Sequence, residues 1–216
     1  MLTERLEMSG NSASSLREML GAPKDPEFHL KLLDGWERHV PDASDREAID
    51  AEMKRRCMEA NRPDLHAHLR MQMDQAFSLM KQQNVIAYFA PTGAPTGDVY
   101  IPGSMFATIR RAPNGESLDG YVTHAIQTYD AKPLFGDKRF IRFERESTKD
   151  LQGGSIVMTS IVYVTPIPGS KHRRGLQLTA SVARPVEMSA TDPLFIGWKT
   201  AFDVCASSLR WSPPQA

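Results

Sequence analysis

RGLQLTASVARP, residues 174–185, decides how the second half of the chain is read. Leu176, Leu178, Ala180 and Val182 alternate with Gln177, Thr179 and Ser181, the period of two that sends successive side chains to opposite faces of a pleated strand. One face apolar and one polar is the pattern of an antiparallel sheet packed on one side. Working backwards, GSIVMTSIVYVTP (154–166), RFIRFER (139–145) and MFATIRR (105–111) supply three more strands. In RFIRFER the alternation puts Arg142 and Glu144 on one face with Phe140, and Ile141 and Phe143 on the other with Arg139 and Arg145. Between MFATIRR and RFIRFER, Pro113-Asn114-Gly115 turns the chain into a helix predicted over 118–129, with Ser117 as N-cap and Leu118, Tyr121, Val122, Ala125 and Tyr129 as its stripe. Downstream, Asp192-Pro193 is an N-cap followed by a first-turn proline, and Leu194, Trp198, Ala201, Phe202, Cys205 and Leu209 line one helical face. Strands closed by a terminal helix imply an α+β fold, an antiparallel β-sheet flanked by helices.

The first half reads differently. FHLKLLDGW (28–36) alternates Phe28, Leu30 and Leu32 against His29, Lys31 and Leu33, as a short strand closed by Asp34-Gly35 would. Ser44-Asp45-Arg46-Glu47 matches a capping box and opens a helix with Ile49, Met53, Cys57 and Ala60 on its apolar side. Pro63 opens a second helix running to about 83, striped by Leu65, Leu69, Met73, Ala76, Phe77 and Met80. VIAYFA (85–90) is a strand, and APTGAPTG (90–97) is a Pro/Gly loop dividing a helical half from a sheet half. The expected organisation is a flexible leader over 1–24, then a single domain over 25–212 with a helical insertion at about 44–83.

Composition bounds the function. The 216 residues carry 26 basic and 26 acidic side chains, and a pI near 7.0 argues against a general binder of nucleic acid. The charge separates only weakly, with 12 Lys/Arg against 15 Asp/Glu over 1–97 and 14 against 11 over 98–216. Cys57 and Cys205 belong to no CxxC pair or ligand cluster and read as buried thiols. Glu4, Arg5 and Glu7 stand where a secretion signal would be apolar, and no run approaches the roughly 20 apolar residues that span a bilayer. The expectation is a cytoplasmic protein.

The order of a strand ending in GW (Phe28 to Trp36), a helical segment, the MFATIRR strand followed by Ser117 to Ala125, the strands Gly153 to Val164 and Leu176 to Val182, and the helix Asp192 to Leu209 resembles the PsbP-like superfamily, which includes the DcrB-like and LpqN-like bacterial proteins. The likeness spans most of residues 26–211. It implies an antiparallel sheet flanked by helices and a noncatalytic role as adaptor, chaperone or lipoprotein accessory. The two helices between the first strands are longer than a minimal member needs, so here they cover or extend its binding surface.

No residue pattern specifies an enzyme. His66 and His68 lie two apart, about 200° around a helix, so both rings cannot face one ion. Ser117, Asp119, Thr123, His124 and His172 lack the GxSxG context that presents a nucleophile. There is no P-loop and no GxGxxG, and no cofactor is expected. The basic residues gather in Arg110 and Arg111, Lys138 to Arg145, and the run Lys171, His172, Arg173, Arg174, which the strand pattern places at a hairpin tip. Five methionines, Met53, Met58, Met71, Met73 and Met80, concentrate in the two insertion helices; flexible thioethers fill core gaps or form adaptable contact surfaces.

These readings converge on a non-enzymatic adaptor or chaperone. It would hold a protein partner, a secreted effector or toxin, on its sheet face or Met-rich segment, aligned by Arg110, Arg142 and Lys171 to Arg174. The alternative is a small-molecule or lipid carrier with a pocket between sheet and C-terminal helix, lined by Trp36, Tyr163 and Trp198.

Overall fold

The computed structural model describes residues 25–92, 100–151 and 154–212. The expected leader and most of the Pro/Gly loop lie outside them. In chain order the elements are β1 (Phe28–His29), β2 (Trp36–His39), α1 (Ala43–Glu59), α2 (Pro63–Gln82), β3 (Val85–Pro91), β4 (Gly103–Arg111), α3 (Asp119–Tyr129), β5 (Lys132–Leu134), β6 (Asp137–Leu151), β7 (Gly154–Pro166), β8 (Arg174–Pro185), α4 (Pro193–Ser207) and β9 (Arg210–Trp211).

Two meanders make one sheet. β2, β3 and β4 form the first, and β5 through β8 the second. They join where β8 pairs with β4, giving a seven-stranded antiparallel order β2-β3-β4-β8-β7-β6-β5. The fold is α+β, as the strand-then-helix order predicts. β1 and β9 form a separate two-stranded pair, Phe28 opposite Trp211.

α4 covers the inner face of the large sheet. Phe195, Phe202 and Ala206 are fully buried against Ala87, Met105, Ile161, Leu176, Leu178 and Ala180. Asp192 caps the helix as predicted, accepting from the Leu194 N–H at 2.8 Å, although Leu194 itself is turned out to solvent.

The outer face departs from the expected polar surface, because two helical blocks cover its ends. At one end α1 and α2 pack through Ile49, Phe77 and Met80 on Val85, Tyr88 and Phe106. At the other α3 packs through Ala125, Tyr121 and Tyr129 on Phe143, Val162 and Val164. Both faces of VIAYFA are covered except at Ile86, which is exposed, and an irregularity between Val85 and Ala87 shifts its register. Polar alternation survives in a middle strip, where Ser104, Ser181 and Ser160 stand in cross-strand register, with Thr179 beside them, all half-buried.

Three local expectations are corrected. FHLKLLDGW is not one strand: only Phe28–His29 pairs, Leu30, Leu32 and Leu33 pack on the core edge, and Trp36 starts β2 beyond the turn. α1 is capped by Asp42, not Ser44, since the Asp42 carboxylate accepts from the Asp45 N–H; the Asp45 side chain instead takes His39 and Tyr88. In α3 Leu118 holds the N-cap position, while Ser117 Oγ accepts from the Asp119 N–H at 3.2 Å.

Gly175 is required by packing. A Cβ there would lie 2.9 Å from Leu118 Cδ1 and 3.2 Å from Thr165 O and Val164 Cγ1, where Leu118 seals the start of α3 to the sheet. Gly175→Val should therefore destabilise by about 2 kcal/mol through overpacking, measured by urea unfolding. Asp42→Ala should cost about 1 kcal/mol as a lost cap, with Ser44→Ala close to neutral; the reverse ranking would place the cap at Ser44.

Candidate binding site

The basic run lies in the loop between β7 and β8, at the tip where the sequence puts it. The Arg173 N–H donates to Ser170 O at 3.1 Å, closing a turn whose central residues, Lys171 (φ 51) and His172 (φ 58), are both left-handed. That is type I′ geometry, ordinarily filled by Asn-Gly. With side chains bearing a Cβ the left-handed form costs about 1–2 kcal/mol per residue.

Backbone bonds fasten this loop in place. Ile167 N–H donates to Arg174 O, and Ser170 Oγ donates to the same carbonyl. From the β4–α3 connection, Ala112 N–H donates to Arg173 O at 3.1 Å and Leu118 N–H to His172 O at 2.8 Å. The backbone at His172 and Arg173 is thereby tied to the β4–α3 connection, distant in sequence.

A depression lies on either side of the loop. One, of about 460 Å³, has an apolar floor of Phe140, Ile167, Leu209 and Trp211, with Thr165 in its wall and Arg139, Lys171 and His172 at its rim. The other, of about 490 Å³, is lined by Arg111, Arg173, Arg174 and Lys171 with Ser170 and small residues. Lys171 borders both. Arg139 is held by a bidentate pair with Asp137 and Arg174 by Asp25. The side chains of Arg111, Lys171, His172 and Arg173 make no hydrogen bond or ion pair among the described residues. Arg111 also stands directly opposite Arg174 in the β4–β8 register, a like-charge pairing that the Asp25 carboxylate on Arg174 relieves.

Arg110 and Arg142 do not join this group, nor each other. Arg110 is on the outer face, stacked 4.3 Å over the Tyr121 ring and bonded to Gln177. Arg142 is on the inner face, donating to Asp203 of α4 at 2.8 Å and to Glu144 at 2.6 Å. Lys199 completes the network on Glu144, and the Tyr163 hydroxyl donates to Asp203 at 2.6 Å. Burial, then the Asp203 charge, pushes the Tyr163 phenol up, so it stays a neutral donor. Burial alone would raise the Glu144 carboxyl, but hydrogen bonding and attraction from Arg142, with Lys199 behind it, hold it below its ordinary value. A further depression of about 380 Å³ opens onto Arg142, Glu144 and Asp203, whose charges are already satisfied by one another.

The residues expected to line a carrier pocket pack in or against the core. Tyr163 is 1% and Trp198 7% exposed, and Trp36 packs edge-on against Phe202 at 5.4 Å. Tyr163 and Trp198 are core residues and Trp36 is half-buried at the core's edge, their alternation and aromatic size being equally suited to lining or to filling. Trp198 Nε1 is buried without a partner among the described residues. Burial raises the Cys205 thiol to about 11, an unreactive position.

The polar residues weighed for chemistry are separated. Ser117 Oγ donates to Asp119, whereas His124 meets Thr128 within its own helix. His66 turns to Asp50 on α1, and His68 to Gln72. No protein-family model matches the chain, and no curated protein matches it significantly.

Asp203→Ala should cost about 3 kcal/mol, because it removes one of the two acidic partners of a largely buried guanidinium and the acceptor of a buried phenol. Glu144, being depressed, contributes stability that is complete above its ordinary value of 4.5 and lost as pH falls through its lower folded value; Glu144→Gln should flatten the acid limb of a stability–pH curve. Lys171→Asn/His172→Gly should raise stability by about 1 kcal/mol by relieving the turn, read as a higher Tm.

Proposed function

We propose that the protein is a non-enzymatic adaptor or chaperone that receives an extended polypeptide in the trough on the outer sheet face. The observation that carries this reading is the strip of Ser104, Thr179, Ser181 and Ser160, half-buried between two helical blocks. Small hydroxyl side chains let a foreign backbone approach closely and offer donors and acceptors along its length. Met71 (52% exposed) and Leu79 (53%) on α2 and Ile126 (51%) on α3 give the flanking blocks apolar surface for a partner's side chains, and methionine repacks readily around different shapes. Arg110 stands on the same face, braced by Tyr121, to align acidic residues of the partner.

The resemblance to the PsbP-like superfamily supports the same reading, since several of its branches act as adaptors or chaperones. A cytoplasmic setting and a secreted effector or toxin as the partner belong to this proposal. The burial of Tyr163 and Trp198 favours this reading over the carrier alternative.

A photo-crosslinking amino acid at Ser160 or Ser181 should capture one and the same polypeptide from the native host, and the same probe at Glu59 should not. Ser181→Trp should reduce the Ser160 adduct about tenfold while circular dichroism stays unchanged. Equal labelling from all three positions would exclude the trough as the receiving surface.

A further inference from the structure

We infer that the depression beneath the β7–β8 loop is a binding site for an apolar group bearing a carboxylate, an aromatic or branched aliphatic acid. This assignment does not depend on the trough. Its floor combines two aromatic rings, Phe140 and Trp211, with Ile167 and Leu209, while Lys171 and His172 stand at the rim without a partner among the described residues. An apolar cavity with a few convergent polar groups is the ordinary make-up of a ligand site, and about 460 Å³ falls within the usual size.

Three features point to this ligand in particular. The wall is assembled from distant parts of the chain: Trp211 is placed by the β1–β9 pair, Phe140 and Arg139 by β6, and Lys171 and His172 by the loop. The loop holds Lys171 and His172 in consecutive left-handed conformations although Asn-Gly would fit the same turn without strain; strain of this kind gathers at functional sites. The charge at the rim suits a single carboxylate. Arg139 is already neutralised by Asp137, leaving one ammonium and one imidazole over the floor, with Thr165 in the wall as a further hydroxyl. A dianion would find more uncompensated charge on the other side of the loop, among Arg111, Lys171 and Arg173.

The chain has three tryptophans, and only Trp211 lines this depression. In a two-dimensional ¹H–¹⁵N spectrum of the full chain, with the Trp211 indole peak assigned from Trp211→Phe, titration with 4-phenylbutyrate should move that peak saturably and leave those of Trp36 and Trp198 in place. 4-Phenylbutanamide should bind at least tenfold more weakly. Lys171→Gln/His172→Gln should weaken 4-phenylbutyrate at least tenfold, and Lys171→Asn/His172→Gly should do the same in a protein whose Tm is undiminished. A peptide ending in Phe with a free carboxylate, tested against its amide, separates the two sources: tighter binding than 4-phenylbutyrate identifies a polypeptide terminus, weaker binding a free acid. Equal binding of acid and amide, an equal response to inorganic phosphate, or no shift at Trp211 would overturn the assignment.

Discussion

The structure depends on the antiparallel pairing of β4 with β8 across nine residue pairs, from Gly103 opposite Val182 to Arg111 opposite Arg174. Each meander alone is a narrow ribbon with two exposed edges, and joined edge to edge they make a sheet wide enough to carry a helix on one face and two helical blocks on the other. The register also decides chemistry. It lines up Ser104 with Ser181 in the trough and brings Arg111 to the basic loop at the opposite end. A one-residue slip would exchange the faces of β8, sending Leu176, Leu178 and Ala180 outwards and removing both surfaces.

α4 is held to that sheet by two different means. Its aromatic residues supply non-directional burial, while Asp203 and Lys199 reach the Arg142–Glu144 pair on β6. The helix thus turns both its charged side chains towards the sheet, the reverse of an ordinary surface helix. Charges placed this way add little net stability compared with apolar replacements, yet they penalise any other seating of the helix because a lone buried charge is costly. The network therefore reads as an orienting device, its acids and bases bound to each other.

The two candidate surfaces differ in what makes them available. The trough is open because the flanking helices anchor elsewhere, over Tyr88 and Phe106 on one side and Phe143 and Val162 on the other. The loop depression is shaped by fixed backbone: the carbonyls of His172 and Arg173 are tied to Leu118 and Ala112, so Lys171 and His172 project from an anchored turn. A surface of small hydroxyls suits a main chain of variable sequence, and a walled cavity with a cationic rim suits one defined end group.

Local pattern was enough for the elements themselves. The alternation in RGLQLTASVARP, the Asp192-Pro193 cap and the Pro63 start each act within a few residues, so the sequence determined four long strands, the boundaries of α2 and α3 and the start of α4 to within a residue or two, and the basic tip. It could not determine which face each strand presents to which helix. Arg110 and Arg142 look alike in sequence and end on opposite sides, because the inner or outer sense of a strand is set by register with partners dozens of residues away. Trp211 and Arg139 carry no local sign of sharing a cavity with Lys171. Only the tertiary structure brings them together, since long-range pairing and side-chain packing, unlike caps and turns, are paid for by contacts that no short stretch contains.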